Sequence, residues 1–430
     1  MIKRIAHKLW PLLVHLANQL MEITENGLNS LVDLISEKDH SHKASFDRES
    51  SILSRLHRGF NLTGKSIDFS LSAQGVLVNG NTGSGKSTVA CIRSILTVNG
   101  SQVIFDPSGE LFEKTSGALA EQGVHILQVN WCDPQNSQCF NPLTRAQTLS
   151  QKTKLASQLM SFATKKGEKD FWSSSAINAL VIVMRIVCLL PVEYRHLHQV
   201  AVFLDVISST ASRQELNKLM AILSDQDPGL FEQYESLLAS GESTLPGILA
   251  SAKTAVSMFL LDENLAAVTA RDTMEDFMKL RRKKTALFVH SATTSADYYA
   301  HISNIFFQQF FEAFFERLPG EDDSYPIFFH LDEFPLLRLN TIDLICANCR
   351  KYAGNMMVVT QDAENQLTAN YGREKAEAIL SNLRTKLFLS ASLKTATSLE
   401  QELGQFEYED PKTKQKRLRP LLSKSEIMQL

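Results

Sequence analysis

Gly80-Asn81-Thr82-Gly83-Ser84-Gly85-Lys86-Ser87 is an unbroken G-x-x-x-x-G-K-S segment, a spacing suited to wrapping phosphate. Its three glycines let the backbone turn N–H groups inward onto phosphate oxygens, and a helix opening near Lys86 adds the positive end of its dipole. Lys86 then reaches the β- and γ-phosphates, the Ser87 hydroxyl ligates Mg²⁺, and Thr88 completes the binding segment. The flanks agree with this reading. Residues 75–79 form an apolar run expected to be a buried strand, and residues 88–96 fit a helix packed on a sheet. A nucleoside triphosphate, ATP, is the expected ligand, with Mg²⁺ as its cation.

A second constellation is Phe328-Phe329-His330-Leu331-Asp332-Glu333, an apolar strand that closes on two adjacent acids. At the carboxyl edge of a sheet Asp332 would hold Mg²⁺ or its water shell, and Glu333 would polarise an attacking water. An Asp-Glu pair alone usually marks a solvated strand end; together with the glycine-rich loop it predicts an NTP-hydrolysing site. Met357-Val358-Val359-Thr360-Gln361 is a further buried strand, ending in an amide that can sense the γ-phosphate or the hydrolytic water. Gln361 could otherwise simply cap the next helix. The loop and the acid pair are expected to flank one magnesium nucleotide from neighbouring strands.

These groups need a rigid frame, and the apolar pattern supplies one. Short apolar runs at residues 102–105, 124–129, 285–289, 326–331, 355–360 and 385–389 are separated by helix-length segments, which implies an α/β fold with a mostly parallel sheet covered on both faces. Between about residues 143 and 283 the alternation stops and helix periodicity takes over. Residues 176–190 are an example, ending before Pro191 as helices do. An all-α domain is therefore expected to interrupt the α/β domain.

Composition excludes several classes. With 430 residues, 44% hydrophobic and 21% charged, the chain suits two or three globular domains with large cores. A net charge of −3 argues against a protein that coats nucleic acid through a general basic surface. Six irregularly spaced cysteines look like reduced packing residues, the Cys346-x-x-Cys349 pair included. The basic start followed by residues 9–21 is too short and too polar to span a bilayer, which takes about 20 apolar residues. It reads as an amphipathic helical segment.

The motifs also carry a resemblance. Gly80 to Ser87, Phe105-Asp106-Pro107-Ser108-Gly109-Glu110-Leu111, Phe140-Asn141-Pro142-Leu143, Phe171-Trp172, Leu331-Asp332-Glu333-Phe334, Thr360-Gln361 with Gln366-Leu367 and Tyr371-Gly372, and Ile379-Leu380-Ser381-Asn382 follow the order seen in TraG/TraD-type conjugative coupling ATPases of type IV secretion systems. The chain resembles that family over roughly residues 45 to 430. The resemblance implies a RecA-like P-loop NTPase domain with an inserted all-α domain, in an FtsK/HerA-like superfamily. The implied layout is an N-terminal helical segment and linker over 1–44, the nucleotide-binding domain over 45–143 and 285–430, and the all-α domain over 144–284.

The family resemblance further implies a homo-hexameric ring at the inner membrane that couples ATP hydrolysis to delivery of single-stranded DNA with its relaxase, or of protein effectors, to membrane components of the secretion channel. Nucleotide in such rings sits between subunits, and Arg350 matches the position where the family places the arginine that stabilises charge in the neighbour's site. The alternative for Arg350 and Lys351 is a solvated helix end. Two departures stand out: no transmembrane helix is evident, so a cytoplasmic chain held at the membrane through partners is expected, and Ser108 stands where a lysine is often found. A last sheet strand is expected beyond Leu430.

Basic clusters at 165–169, 281–284 and 412–419 are candidates for sequence-independent DNA contact in a ring lumen, single- or double-stranded. Two other classes stay open: a related FtsK/HerA-like DNA pump, and a nucleotide-gated recruitment platform without motor activity.

Overall fold

The computed structural model describes residues 52–54, 57–163, 171–223, 226–241, 243–274, 276–409 and 414–429. The N-terminal segment and the 165–169 basic cluster lie outside the described residues.

Seven strands build the central sheet: β1 (Val76–Asn79), β2 (Ser101–Asp106), β3 (His125–Asn130), β4 (Thr285–His290), β5 (Ile327–Leu331), β6 (Gly354–Thr360) and β7 (Thr385–Phe388). They lie in the order β7-β1-β6-β5-β2-β4-β3, and every pairing is parallel. Successive side chains alternate between faces, and both faces are covered over the inner strands, which read as mostly apolar runs, while the edge strands β3 and β7 are only partly buried. Val103, Phe105, Leu287, Val289, Phe329 and Val358 pack on one side. Ile104, Phe288, Phe328, Met357 and Val359 pack on the other.

The first face is covered by a phenylalanine-rich helix, Ala296–Glu316, whose Phe311 and Phe314 rings meet Phe329 at 4.9 and 5.3 Å between centroids. Against the second lie helix Glu110–Glu121 and a small antiparallel sheet made by Leu53–Ser54, Lys65–Ile67 and Asn61–Leu62. Phe60, just before strand Asn61–Leu62, stands edge-on to Phe328 at 5.3 Å.

From Leu149 to Arg281 every regular element among the described residues is helical. Its longest helix, Phe171–Leu189, contains an 18-residue span, Trp172–Leu189, long and apolar enough to cross a membrane. That apolarity serves packing: Ala176, Leu180, Val183, Ile186 and Val187 are buried in the same continuous core as the first sheet face. Trp172 lies against Gly247, where a Cβ would come within 2.7 Å of the indole.

The chain from Ser392 onward belongs to a second compact unit. Its described part is a helix Leu393–Leu403, an antiparallel hairpin of Gln405–Glu409 with Lys416–Pro420, and a short helix Lys424–Ile427 opened by a reciprocal Ser423/Glu426 cap. Lys414, Lys416 and Arg419 of this hairpin pair with Glu409, Glu407 and Glu426.

All six cysteines are free thiols. Burial pushes the Cys346 thiol up to about 12 and Cys349 higher still, which keeps both neutral. No cluster of metal-ligating side chains is present among the described residues.

Candidate functional site

The phosphate loop joins β1 to a helix that opens with one wide π turn, Ser87–Cys91, and continues as Ile92–Thr97. Gly83 and Gly85 adopt left-handed φ of 81° and 85°, which side-chain-bearing residues rarely adopt. The loop is already folded back on itself. Lys86 Nζ donates to the carbonyl oxygens of Gly80 at 2.6 Å and Asn81 at 3.0 Å, and the Asn81 N–H donates to Ser390 Oγ at 2.7 Å. Ser84 Oγ is buried with no protein partner.

β1 and β5 are not neighbours. β6 lies between them, so the expectation of adjacent strands is corrected, and the strand that intervenes is the one ending in Gln361. This places the amide between loop and acids along the carboxyl edge. Asn79 ties the junction together: its Oδ1 accepts from Thr360 Oγ1 at 2.9 Å and from the Ala363 N–H at 2.8 Å. Sequence reading missed Asn79, although an amide ending an otherwise apolar strand was the visible signal.

Asp332 follows β5, nearly buried at 8% exposure, and its N–H donates to Phe105 O at 3.1 Å. Glu333 is exposed and holds a left-handed backbone, φ 43°. Such strain in a non-glycine residue costs about 1–3 kcal/mol and persists where surrounding structure enforces it.

Asp106, part of the motif at residues 105–111, ends β2. β2 and β5 pair with Phe105 opposite Leu331, so the next residues along, Asp106 and Asp332, stand side by side. Asp106 is fully buried, and its carboxylate accepts from the Phe112 N–H at 2.8 Å and from Ser108 Oγ at 3.4 Å. Serine at 108 thus serves as a local donor to this acid. Burial pushes Asp106 up to about 6 despite those donors. Burial first, and the Asp106 charge second, push Asp332 up to about 7, with Lys86 pulling the other way.

Loop and acids line one cleft of ≈ 1150 Å³. Thr82, Lys86, Ser87 and Thr88 meet Asp332, Glu333 and Gln361 there, and it continues over Glu110, Gln128 and His290. His290 stacks on Phe112 at 5.0 Å, and its burial depresses the imidazole to about 4, so it is neutral near pH 7. Arg350 is not in this cleft. It sits exposed in the turn Cys349–Tyr352 before β6, at the opposite end of a seven-residue strand, about 20 Å from Gln361 at roughly 3.3 Å per residue.

The donor set suits a magnesium nucleotide. Carboxylate and hydroxyl oxygens are the ligands of a small hard cation, and a cation beside Asp332 would relieve two crowded, dehydrated acids. Backbone N–H groups of a glycine loop with a lysine beside them suit the phosphates.

The parallel sheet, glycine loop and strand-end acid define a RecA-like P-loop nucleotide-binding protein. More narrowly, the family model described as type IV secretory system conjugative DNA transfer matches residues 33–429, and the chain belongs to that family. It is similar to Protein VirD4 of Rhizobium radiobacter, 25% identical over 348 residues covering 77% of this chain and 48% of the relative, and to Protein VirD4 of Agrobacterium fabrum, 24% identical with 77% and 50% covered. The chain spans about half the length of these relatives. Among solved structures it resembles the plasmid coupling protein TrwB in complex with ADP and Mg²⁺, with a TM-score of 0.66 at 18% identity over 87% of this chain and 84% of that one. TrwB in complex with a non-hydrolysable ATP analogue gives a TM-score of 0.65 over the same shares.

Proposed function

We propose that this chain is the ATP-hydrolysing engine of a type IV coupling protein: it binds ATP with Mg²⁺ and, as a homo-hexamer, drives relaxase-bound single-stranded DNA or protein effectors toward the secretion channel. The observation that carries this reading is the convergence of Lys86, Ser87, Asp332, Glu333 and Gln361 on one cleft at the carboxyl edge of the sheet.

In this reading Lys86 leaves its carbonyl partners to hold the β- and γ-phosphates, and the Gly80–Thr88 backbone cradles them. Ser87 and Asp332 hold Mg²⁺, which when bound offsets charge on the phosphate oxygens. Glu333 draws the proton from the attacking water, and Gln361 orients that water. Arg350 lies at the wrong end of β6 for its own cleft, so it acts in the cleft of a neighbouring copy, which makes turnover a property of the ring.

The layout of the domains follows the same reading, with residues 144–284 as the helical domain that meets relaxase or effectors. The ring sits on the cytoplasmic side of the inner membrane, held there through secretion-system partners. TrwB bound to ADP and Mg²⁺ and the VirD4 relatives support the assignment of ligand and system.

The test is ATP hydrolysis measured with and without single-stranded DNA across protein concentration. Turnover per subunit that rises cooperatively with concentration, increases with DNA and vanishes in Glu333→Gln is expected. Nucleotide binding without turnover under any DNA or effector would instead identify a recruitment platform.

A further inference from the structure

Arg281 belongs to a basic run expected to be a solvated or lumen-facing cluster, yet it is 1% exposed. No carboxylate accepts from its guanidinium at hydrogen-bond distance among the described residues. Instead Nη1 donates to Arg317 O at 3.1 Å, and Nη2 donates to Phe314 O at 3.2 Å and to Tyr352 O at 3.1 Å. The cation also lies over the Phe314 ring at 4.8 Å. Its own carbonyl accepts from the Tyr325 N–H at 2.9 Å just before β5.

Two of those acceptors lie at the end of helix Ala296–Glu316, where a cation is favoured by the helix dipole. The third belongs to the turn that carries Arg350. That turn is otherwise tightly held: Ala353 takes a left-handed φ of 56° while its N–H closes on Arg350 O at 3.1 Å, and a Cβ on Gly354 would sit 2.3 Å from Cys349 Sγ. Tyr352 packs edge-on to Phe315 at 4.8 Å.

A buried charge persists only when fixed groups satisfy it, and here those groups belong to two elements that otherwise meet through rings, Phe314 and Phe315 against Tyr352, which fix their separation less strictly than directed hydrogen bonds do. We propose that Arg281 is a positioning residue for Arg350: through Tyr352 O it locks the Arg350-bearing turn to the end of helix Ala296–Glu316, so that Arg350 is presented to a neighbouring copy at a fixed height above the sheet's amino edge. This rests on the reading of Arg350 given above. A flexible lysine offers three donors but no planar fork, so it cannot span all three carbonyls in the same way.

The experiment is a double-mutant cycle on the full chain, with Arg281→Lys, Arg281→Gln, Arg350→Ala and the combinations, measuring steady-state ATP hydrolysis and the affinity for a fluorescent ATP analogue. Arg350→Ala should lower kcat on the order of 10³-fold. Arg281→Lys, misplacing the turn, should lower kcat about 10- to 100-fold with analogue affinity unchanged, and should have no further effect in the Arg350→Ala background. If Arg350→Ala leaves kcat intact, the trans role of Arg350 falls and this proposal with it. If Arg350→Ala acts as expected but the Arg281 variants leave kcat alone, or lower it by the same factor in both backgrounds, the positioning role alone is overturned. Loss of analogue binding in both Arg281 variants would overturn it too, because Arg281 would then be holding the fold and not the turn.

Discussion

Thr82 donates its hydroxyl to the Gln361 carboxamide oxygen across 3.2 Å, linking the glycine-rich loop to the strand that separates it from Asp332 and Glu333. The pair spans 279 residues of chain and lies at the mouth of the cleft. A γ-phosphate arriving at the loop would compete with the amide oxygen for the Thr82 hydroxyl, so the contact would be a point at which nucleotide state is transmitted to β6.

Gln361→Ala is therefore expected to separate binding from turnover. In the proposed reading Gln361 orients water, a role worth roughly 10²-fold or more in rate, while the glycine loop and Lys86 would supply the affinity. Affinity for an ATP analogue should stay within about twofold and kcat should fall roughly 10²-fold. An equal loss in both quantities would reduce Gln361 to a loop support.

Lys86→Ala should act on binding itself. The ammonium already satisfies two carbonyls in the loop, so it is held where phosphate must enter. Charge-assisted bonds are worth about 1.5–3 kcal/mol each, which predicts a loss of nucleotide affinity of about 10- to 150-fold per bond. Calorimetric titration checks this, and an unchanged affinity would show that phosphate bypasses the loop.

Glu333 offers a test that couples backbone strain to chemistry. Its left-handed φ of 43° costs an L-residue about 1–2 kcal/mol, which glycine does not incur. Against that, glycine loosens the unfolded chain by about 0.4–1 kcal/mol. Glu333→Gly should thus be up to about 1.6 kcal/mol more stable in chemical denaturation while turnover falls on the order of 10²- to 10⁴-fold. Glu333→Gln should lose turnover similarly without the stability gain. A Glu333→Gly chain less stable than Glu333→Gln by about that 0.4–1 kcal/mol would show that the local conformation carries no strain.

Much of this site was legible in the sequence because both informative signals are local. The seven sheet strands coincide with apolar runs bounded by turns, and the loop spacing needs no tertiary context. Lateral strand order is different, since it is set by crossover connections between distant residues. The insertion of β6 between β1 and β5, and the pairing of Asp106 with Asp332, could not be read from Gly80 to Ser87 or from the acids alone. Arg281 shows the opposite failure: four consecutive basic residues look solvated, and only the position of three carbonyls from remote elements explains why one is buried.

The two adjacent carboxylates also set a pH dependence whose sign is opposite to that of an ordinary ion-paired aspartate. Asp332 rises from 3.8 to about 7 on folding, because burial and Asp106 disfavour its charge. Between these values the folded chain holds more protons than the unfolded one, so stability falls as pH rises through this window. Its favourable contribution is complete below about 4 and gone above about 7. Metal-free wild type should therefore lose thermal stability relative to Asp332→Asn as pH is raised from 4 to 8. Mg²⁺ selects the ionised carboxylate, so the stabilisation by magnesium nucleotide should grow across the same interval in the wild type and stay nearly constant with pH in Asp332→Asn. Parallel melting curves for the two proteins over that range, with no divergence in either condition, would mean that this carboxylate is neither dehydrated nor the cation's anchor.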